Sequence, residues 1–154
     1  MVPQKILIAT DGSESARAAE AFGASMAAMM AKVGGSCQVT VAAVVRPRDA
    51  PAERAAFTLW PLSDEEFTEA ETHIKEAAER VAALTGDANV DIKPLLIETR
   101  SPAEGIVDAA HDGGTCSLIV MGNRGHGGIA SLVLGSVSTQ VLHLAHCPVV
   151  VVKG

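Results

Sequence analysis

Glycines and a serine follow an apolar segment late in the chain, in a pattern that can seat an anion. Four apolar residues end at Met121, and Gly122 is the first of four glycines within residues 122–128. Gly135 and Ser136 lie further along, where we expect a helix to begin. Glycine lets a ligand approach the main chain, and a helix N-terminus presents N–H groups and the positive end of its dipole. The pattern therefore predicts a phosphate-binding loop.

Two better-known phosphate loops do not fit this chain. The dinucleotide fingerprint places three glycines after the first strand, whereas this chain has Thr10-Asp-Gly-Ser there, with a single glycine. The Walker A loop needs Gly-Lys-Ser/Thr after its spacer, but Gly127 is followed by Gly128 and Ile129. The absence of a loop lysine disfavours fast nucleotide hydrolysis. A glycine-rich connection that binds no ligand stays open as the alternative.

The spacing of the glycines resembles that of a known family. Gly122, Gly125 and Gly135-Ser136 form the pattern Gly-x2-Gly-x9-Gly-Ser, which resembles the ATP-binding branch of the universal stress protein family. Lys5-Ile-Leu-Ile-Ala-Thr-Asp-Gly-Ser is similar to the first strand and Asp-containing turn of that family, and His146-Cys-Pro-Val-Val-Val-Val-Lys is similar to its last strand. The resemblance implies an ATP-binding protein with a nucleotide-dependent role in stress response or signalling.

The resemblance also implies a role for each residue of a nucleotide site. The main chain of Val44 would meet the adenine edge, and Met121 would form an apolar wall of the base or ribose pocket. Asp11 would approach the ribose and Mg²⁺, which usually takes one or two carboxylates plus phosphate oxygens. The predicted nucleotide-binding set is Thr10, Asp11, Val44, Met121, Gly122, Arg124, Gly125, Gly135, Ser136 and Val137, with ATP and Mg²⁺ as cofactors.

Several of these residues also have an explanation that needs no ligand. Asp11 suits a turn, because its side chain bonds nearby backbone N–H groups. Val44 and Met121 suit a hydrophobic core. Arg124 and its neighbour His126 can be solvent-exposed loop side chains without any contact.

Composition and charge restrict the class of protein. The 154 residues are 48% hydrophobic and 19% charged, which suits one domain over residues 1–154 with a substantial core. No apolar run is long enough to span a bilayer, and the first predicted strand begins too early for a secretory signal, so we expect a cytoplasmic protein. A net charge of −6 disfavours binding to nucleic acids or anionic membranes.

Strand and helix patterns alternate five times along the chain. We expect strands over residues 5–9, 39–45, 90–98, 118–121 and 149–152. Because no tight hairpin turn joins neighbouring strands, parallel pairing with right-handed crossovers follows, which gives a three-layer α/β sandwich. The resemblance implies the strand order 3-2-1-4-5. In that order Asp11 and Gly122 meet at one crevice beyond the carboxyl ends of strands one and four.

Helical patterns make further predictions. An apolar stripe of the first helix is predicted to fill the core: Phe22, Met26, Met29, Met30 and Val33. Two segments, Ser63 to Glu66 and Ser101 to Glu104, match the capping box. Glu76 and Arg80 stand four residues apart in the favourable order for an ion pair.

The remaining predictions concern the connection over residues 46–62 and the last strand. The connection contains the only tryptophan and is longer than most, so we predict either a lid beside the nucleotide or a cover on the core. Val149–Val152 are followed by two residues, and we expect an open sheet edge that pairs with another chain. The resemblance implies a homodimer through this strand.

Two other functions stay open beside a binding protein. One is a slow ATPase or a nucleotidyl-transfer enzyme, although no residue stands out as a general base and none is assigned as catalytic. The other is a dimerisation module that binds no ATP, which the intact glycine pattern disfavours.

Overall fold

Strands and helices alternate throughout the part of the chain that the structure describes. This computed structural model describes residues 4–48, 63–112, 118–123 and 134–154. In chain order the elements are β1 (Gln4–Ala9), α1 (Glu14–Gly34), β2 (Cys37–Val45), α2 (Asp64–Thr85), β3 (Val90–Glu98), α3 (Pro102–His111), β4 (Leu118–Gly122), α4 (Ser136–Leu144) and β5 (Val149–Val152). None of the described helices is both long and apolar enough to cross a membrane.

The described strands form one parallel sheet in the order β3-β2-β1-β4-β5, which confirms the predicted fold. The central strand β1 pairs with β2 on one side and β4 on the other, so that Ala9 lies opposite both Ala42 and Met121. The chain reverses its direction of winding between β1 and β4. Ligands of open parallel sheets bind at such a point, beyond the carboxyl ends of the two strands.

Helices cover both faces of the sheet and complete the three layers. Ile6 and Ile8 of β1 belong to the core that includes residues of α1 and α2. Leu7 and Ala9 alternate with them and join the core formed with α3 and α4. Burial on both faces explains why β4 and the end of β1 read as continuous apolar runs rather than as alternating ones.

The predicted core stripe of α1 is wrong for its most exposed members. Met29 is 62% exposed and Val33 is 87% exposed, and Phe22 is also on the surface. Apart from Glu20, the buried side of the helix consists of small residues instead: Ser15, Ala16, Ala19, Gly23, Ala24, Ala27 and Ala31. A Cβ atom on Gly23 would lie 2.5 Å from the Cδ1 atom of Ile8. The helix lies too close to the sheet for long side chains, and Met26 and Met30 pack only at the margin of the core.

Only one of the two predicted capping boxes forms. The Ser63 N–H donates to Glu66 Oε2 at 2.8 Å, and the Glu66 N–H donates to Ser63 Oγ at 3.2 Å. Ser101 makes no such side-chain bond, because its backbone lies at φ −122° and ψ 86° rather than in the usual cap conformation. Its N–H donates instead to Thr99 Oγ1 at 3.0 Å. Sequence spacing alone therefore does not determine a cap.

Candidate functional site

The ends of β1 and β4 meet the N-terminus of α1 at very close range. A Cβ atom on Gly122 would overlap Ser15 Oγ and would lie 2.8 Å from the Ala16 backbone nitrogen. Any larger residue would push the first turn of α1 away from the end of β4. Gly122 thus has a packing role, in addition to the nucleotide contact that the glycine pattern predicts.

Asp11 lies in the turn that follows β1 and is solvent-exposed. Its Oδ1 atom accepts a hydrogen bond from the Ser13 N–H at 2.9 Å. Ser13 is the N-cap of α1, and its Oγ atom accepts from the Ala16 N–H at 3.3 Å. Asp11 therefore shapes the turn as expected of an Asp in this position, while its carboxylate lies at the surface of the crevice.

The N-terminus of α4 is fastened to the end of β4 by backbone and side-chain bonds. The Gly135 N–H donates to the Asn123 carbonyl at 2.7 Å, and the Asn123 N–H donates to the Val152 carbonyl at 2.9 Å. The Ser138 hydroxyl donates to the Gly122 carbonyl at 2.9 Å. The helix begins at Ser136 after Gly135, as predicted. These bonds place Gly135, Ser136 and Val137 beside the carboxyl end of β4.

Thr10 is buried and bonded within the protein. Its hydroxyl donates to Glu20 Oε1 at 2.7 Å, and its oxygen lies 3.4 Å from the Gly12 N–H. Glu20 is 2% exposed and also accepts from Arg80, at 2.9 Å from Nε and 3.0 Å from Nη2. The hydrogen bonds from Arg80 to Glu20 raise the pKa of the guanidinium. The hydrogen-bonded partner of Arg80 is therefore Glu20 on α1, whereas Glu76, the partner that the spacing on α2 suggests, contributes only a weaker Coulombic attraction.

Asn123 lies beside Gly122 at this edge of the sheet and is not among the residues predicted from the sequence. The residue is 9% exposed, and its Oδ1 atom is buried without a hydrogen-bond partner, alone among side-chain polar atoms of the described residues. Asn123 directly follows Gly122 and occupies the first variable position of the glycine pattern. The polar side chain at the end of this strand is visible in the sequence, but the lack of a hydrogen-bond partner at its Oδ1 atom is visible only in the structure.

The predicted base-binding residues lie at the same edge of the sheet. Val44 is two residues beyond Ala42, which pairs with Ala9, so that Val44 lies past the carboxyl end of β1 on the neighbouring strand. Val44 is partly buried and packs against the core under α3 and α4. Met121 is 5% exposed in the same core. Both residues are therefore core residues, as the explanation without a ligand requires.

Some predicted residues fall outside the described parts of the chain. Arg124, Gly125 and His126 lie outside them, as does most of the connection over residues 46–62, of which only residues 46–48 are described. Within the described ranges, no three His, Cys, Asp or Glu side chains converge as a metal site. The structure therefore brings together Thr10, Asp11, Val44, Met121, Gly122, Gly135, Ser136 and Val137 at one edge of the sheet.

The fold and this edge define a doubly wound parallel α/β protein with its crevice at the reversal point. The family model described as "Universal stress protein family" matches residues 3–153. A universal stress protein of Thermus aquaticus is 38% identical over 152 residues, which cover 96% of this chain and 97% of that protein. The chain belongs to the universal stress protein family.

Solved structures agree with this fold. Universal stress protein UspA from Lactobacillus plantarum superposes with a TM-score of 0.72 at 24% identity, with 99% of each chain covered. The universal stress protein from Archaeoglobus fulgidus, solved in complex with dAMP, gives a TM-score of 0.67 at 24% identity and covers 99% of this chain and 100% of that one.

Proposed function

We propose that this chain is an adenine-nucleotide-binding protein of stress response or signalling, and that its crevice holds ATP with Mg²⁺. The observation that carries the proposal is the convergence of the Asp11 turn, Gly122 and the N-terminus of α4 at the carboxyl ends of β1 and β4. A central strand end, a glycine and a helix N-terminus together form an environment suited to phosphate groups.

The first turn of α4 supplies donors for phosphate. The N–H groups of Ser136, Val137 and Ser138 have no carbonyl four residues earlier within the helix. Its first turn contains no acidic residue that would compete with an anion. The helix dipole adds partial positive charge at the same place.

The Asp11 carboxylate suits Mg²⁺ held jointly with phosphates. One exposed carboxylate is typical of magnesium in nucleotide sites, because the remaining ligands are phosphate oxygens and water. Ser13 holds one carboxylate oxygen through its N–H, which orients the group. The dAMP complex of the Archaeoglobus fulgidus protein supports an adenine nucleotide as the class of ligand.

The same proposal includes a homodimer in the cytoplasm. β5 lies at the edge of the sheet next to β4, and all four of its valines are only partly buried. An apolar strand at an open edge favours pairing with another chain. Light scattering at micromolar concentration is expected to give twice the mass of the chain, and a monomer would contradict this part of the proposal.

The nucleotide itself is tested by two measurements. Mass spectrometry of the small molecules released from freshly purified, denatured protein is expected to show an adenine nucleotide. Calorimetry with ATP and Mg²⁺ is expected to show binding that Asp11→Ala weakens at least tenfold, which corresponds to about 1.4 kcal/mol. Asp11→Asn keeps the acceptor for Ser13 and removes only the charge, so it separates the metal role from the turn.

The control is Asp91→Ala on β3. Asp91 is exposed and lies near the amino end of its strand, away from the crevice. Asp91→Ala is expected to leave the affinity for ATP unchanged. A wild-type protein that binds no adenine nucleotide would overturn the proposal, and unchanged affinity in Asp11→Ala would remove Asp11 from the site.

A further inference from the structure

Asn123 combines deep burial with an unsatisfied amide. The residue is 9% exposed, and its Oδ1 atom has no donor within hydrogen-bond distance in the described parts of the chain. Buried polar groups in native proteins are nearly always paired, and an exception calls for an explanation. A binding partner from outside the chain is such an explanation.

The backbone around this side chain is fixed on both sides. The Asn123 N–H is bonded to β5 through Val152, and the Asn123 carbonyl is bonded to the start of α4 through Gly135. The carbonyl of the preceding Gly122 accepts from Ser138. A side chain on a backbone held in this way is preorganised, because little freedom is left to lose when it bonds a ligand.

The chemistry of the nucleotide limits which group this oxygen can meet. Oδ1 is an acceptor and needs a donor. An adenine nucleotide has donors only on the exocyclic amine of the base and on the ribose hydroxyls, since its phosphate oxygens act as acceptors. Val44, at the predicted base subsite, is on β2, and β1 lies between β2 and β4. Two strand spacings amount to about 10 Å, which puts the adenine amine out of reach of Asn123.

We propose that Asn123 is a specificity-determining residue of the crevice, and that its Oδ1 atom accepts a hydrogen bond from a ribose hydroxyl of the bound nucleotide. This inference rests on the proposed function. It identifies the sugar, rather than the base or the phosphates, as the part of the ligand that β4 recognises through a side chain.

The test is a thermodynamic cycle that combines removal of the Asn123 side chain with removal of a ribose hydroxyl from the nucleotide. Wild-type protein and Asn123→Ala are titrated with ATP, 2′-deoxy-ATP and 3′-deoxy-ATP. Asn123→Ala is expected to weaken ATP binding about fivefold, the effect of one hydrogen bond. One of the two deoxynucleotides is expected to bind wild-type protein about fivefold more weakly than ATP, and to lose nothing further in Asn123→Ala. Such non-additivity marks a direct contact.

Two other results would overturn the inference. In the first, Asn123→Ala binds ATP as tightly as wild-type protein. In the second, Asn123→Ala weakens ATP binding, but the affinity of each deoxynucleotide relative to ATP is the same in wild-type protein and in the variant. The side-chain NH₂ group, rather than Oδ1, would then face the nucleotide and contact a phosphate, which is the opposite orientation of the amide. If the wild-type protein binds no ATP, the proposed function fails, whereas a silent Asn123 in a protein that binds ATP removes only this inference.

A control variant and a wild-type measurement protect the test against misfolding. Asn89 carries a side chain of the same type, whose Nδ2 group donates to the Gly35 carbonyl at 2.8 Å at the opposite edge of the sheet. Asn89→Ala is expected to leave the affinity unchanged. In wild-type protein the side-chain NH₂ resonances of Asn123 are expected to shift on addition of ATP, and to shift less with the critical deoxynucleotide. Equal shifts with ATP and both analogues would contradict the contact.

Discussion

Two polar side chains end the neighbouring strands of the crevice, and the protein treats them differently. Thr10 follows β1 and is 7% exposed, and Asn123 follows β4 and is 9% exposed. The Thr10 hydroxyl donates to Glu20, which Arg80 holds in turn from α2. The Oδ1 atom of Asn123 bonds nothing in the described structure. The two residues are therefore buried to a similar extent, but the Thr10 hydroxyl has a hydrogen-bond partner in the described structure and the Asn123 Oδ1 atom has none.

This difference separates a structural group from a binding group. A buried polar group that is fully bonded contributes to the stability of the fold, whereas an unbonded one lowers stability until a ligand arrives. Thr10, at the end of β1, is thus a part of the scaffold. The β4 side keeps an acceptor for recognition, and natural proteins commonly accept such a loss of stability at functional sites.

The largest expected effect tests the structural side. Arg80→Ala removes the guanidinium from Glu20, which is 2% exposed, and leaves a buried carboxylate without its main partner. We expect the free energy of unfolding to fall by about 3 kcal/mol, at the low end for a buried pair because the Arg80 side chain is 32% exposed. Urea denaturation measures this change.

A second variant separates charge from packing at the same place. Adding Glu20→Gln to Arg80→Ala removes the buried charge, which in Arg80→Ala has only the more distant Arg17, at 3.7 Å, as an ionic partner among the described residues, and is expected to recover part of the loss. A folded Arg80→Ala protein with unchanged stability but weaker ATP binding would break the comparison, because the network would then serve the ligand rather than the fold.

The next largest effect compares the stabilities of variants at the two strand ends, Thr10 and Asn123. Thr10→Val keeps the shape and removes the hydroxyl, so Glu20 loses one donor, and we expect the free energy of unfolding to fall by about 1 kcal/mol. Asn123→Leu keeps a similar volume and removes an unbonded amide, so we expect stability without nucleotide to stay equal or to rise by up to about 1 kcal/mol. Denaturation of both variants without ligand provides the measurement.

The comparison depends on the signs of these two changes in the free energy of unfolding more than on their sizes. Opposite signs agree with one bonded and one unbonded group. A clear loss of stability in Asn123→Leu would show that the amide has a structural partner, and the distinction between the two strand ends would then disappear.

Much of the fold was accessible from the sequence because it depends on local patterns. The central strands β1 and β4 contain buried apolar runs, and the edge strands β3 and β5 have the predicted bounds. The crevice followed from the order of the strands, which brings residues 111 positions apart, Asp11 and Gly122, to one edge. The resemblance supplied that order, since alternation of strands and helices alone leaves several orders possible.

Other features depend on distances that no local pattern contains. The spacing on α2 favours Glu76 as a neighbour of Arg80, but the packing of α1 against α2 brings Glu20 Oε2 to 2.9 Å from Arg80 Nε. Glu20 did leave a signal, as the sole charged residue between Arg17 and Lys32. Long apolar side chains on α1 suggested a core, yet the short distance between helix and sheet admits alanine and glycine instead. The missing partner of Asn123 is visible only in three dimensions.

The smallest expected effect extends the same rule to the helix caps. Ser63 and Ser101 both begin a Ser-x-x-Glu segment, but only Ser63 makes the bonds. Ser63→Ala is therefore expected to lower the free energy of unfolding by about 1 kcal/mol, and Ser101→Ala by no more than a few tenths, in urea denaturation at neutral pH. Equal losses would contradict the rule that a polar group stabilises only where its bond is made.

The pH dependence of that loss follows from Glu66. The backbone N–H of Ser63 and then its side chain hold the pKa of the Glu66 carboxyl below its ordinary value of 4.5. A lowered pKa in the folded state contributes stability above the ordinary value, and this contribution disappears as the pH falls through the lowered one. Because Ser63→Ala removes the hydroxyl and keeps the N–H donor to Glu66, wild-type protein is expected to lose only slightly more stability than Ser63→Ala between neutral pH and a pH below 4.5. Parallel pH profiles for the two proteins would show that the Ser63 hydroxyl does not contribute to the lowered pKa of Glu66.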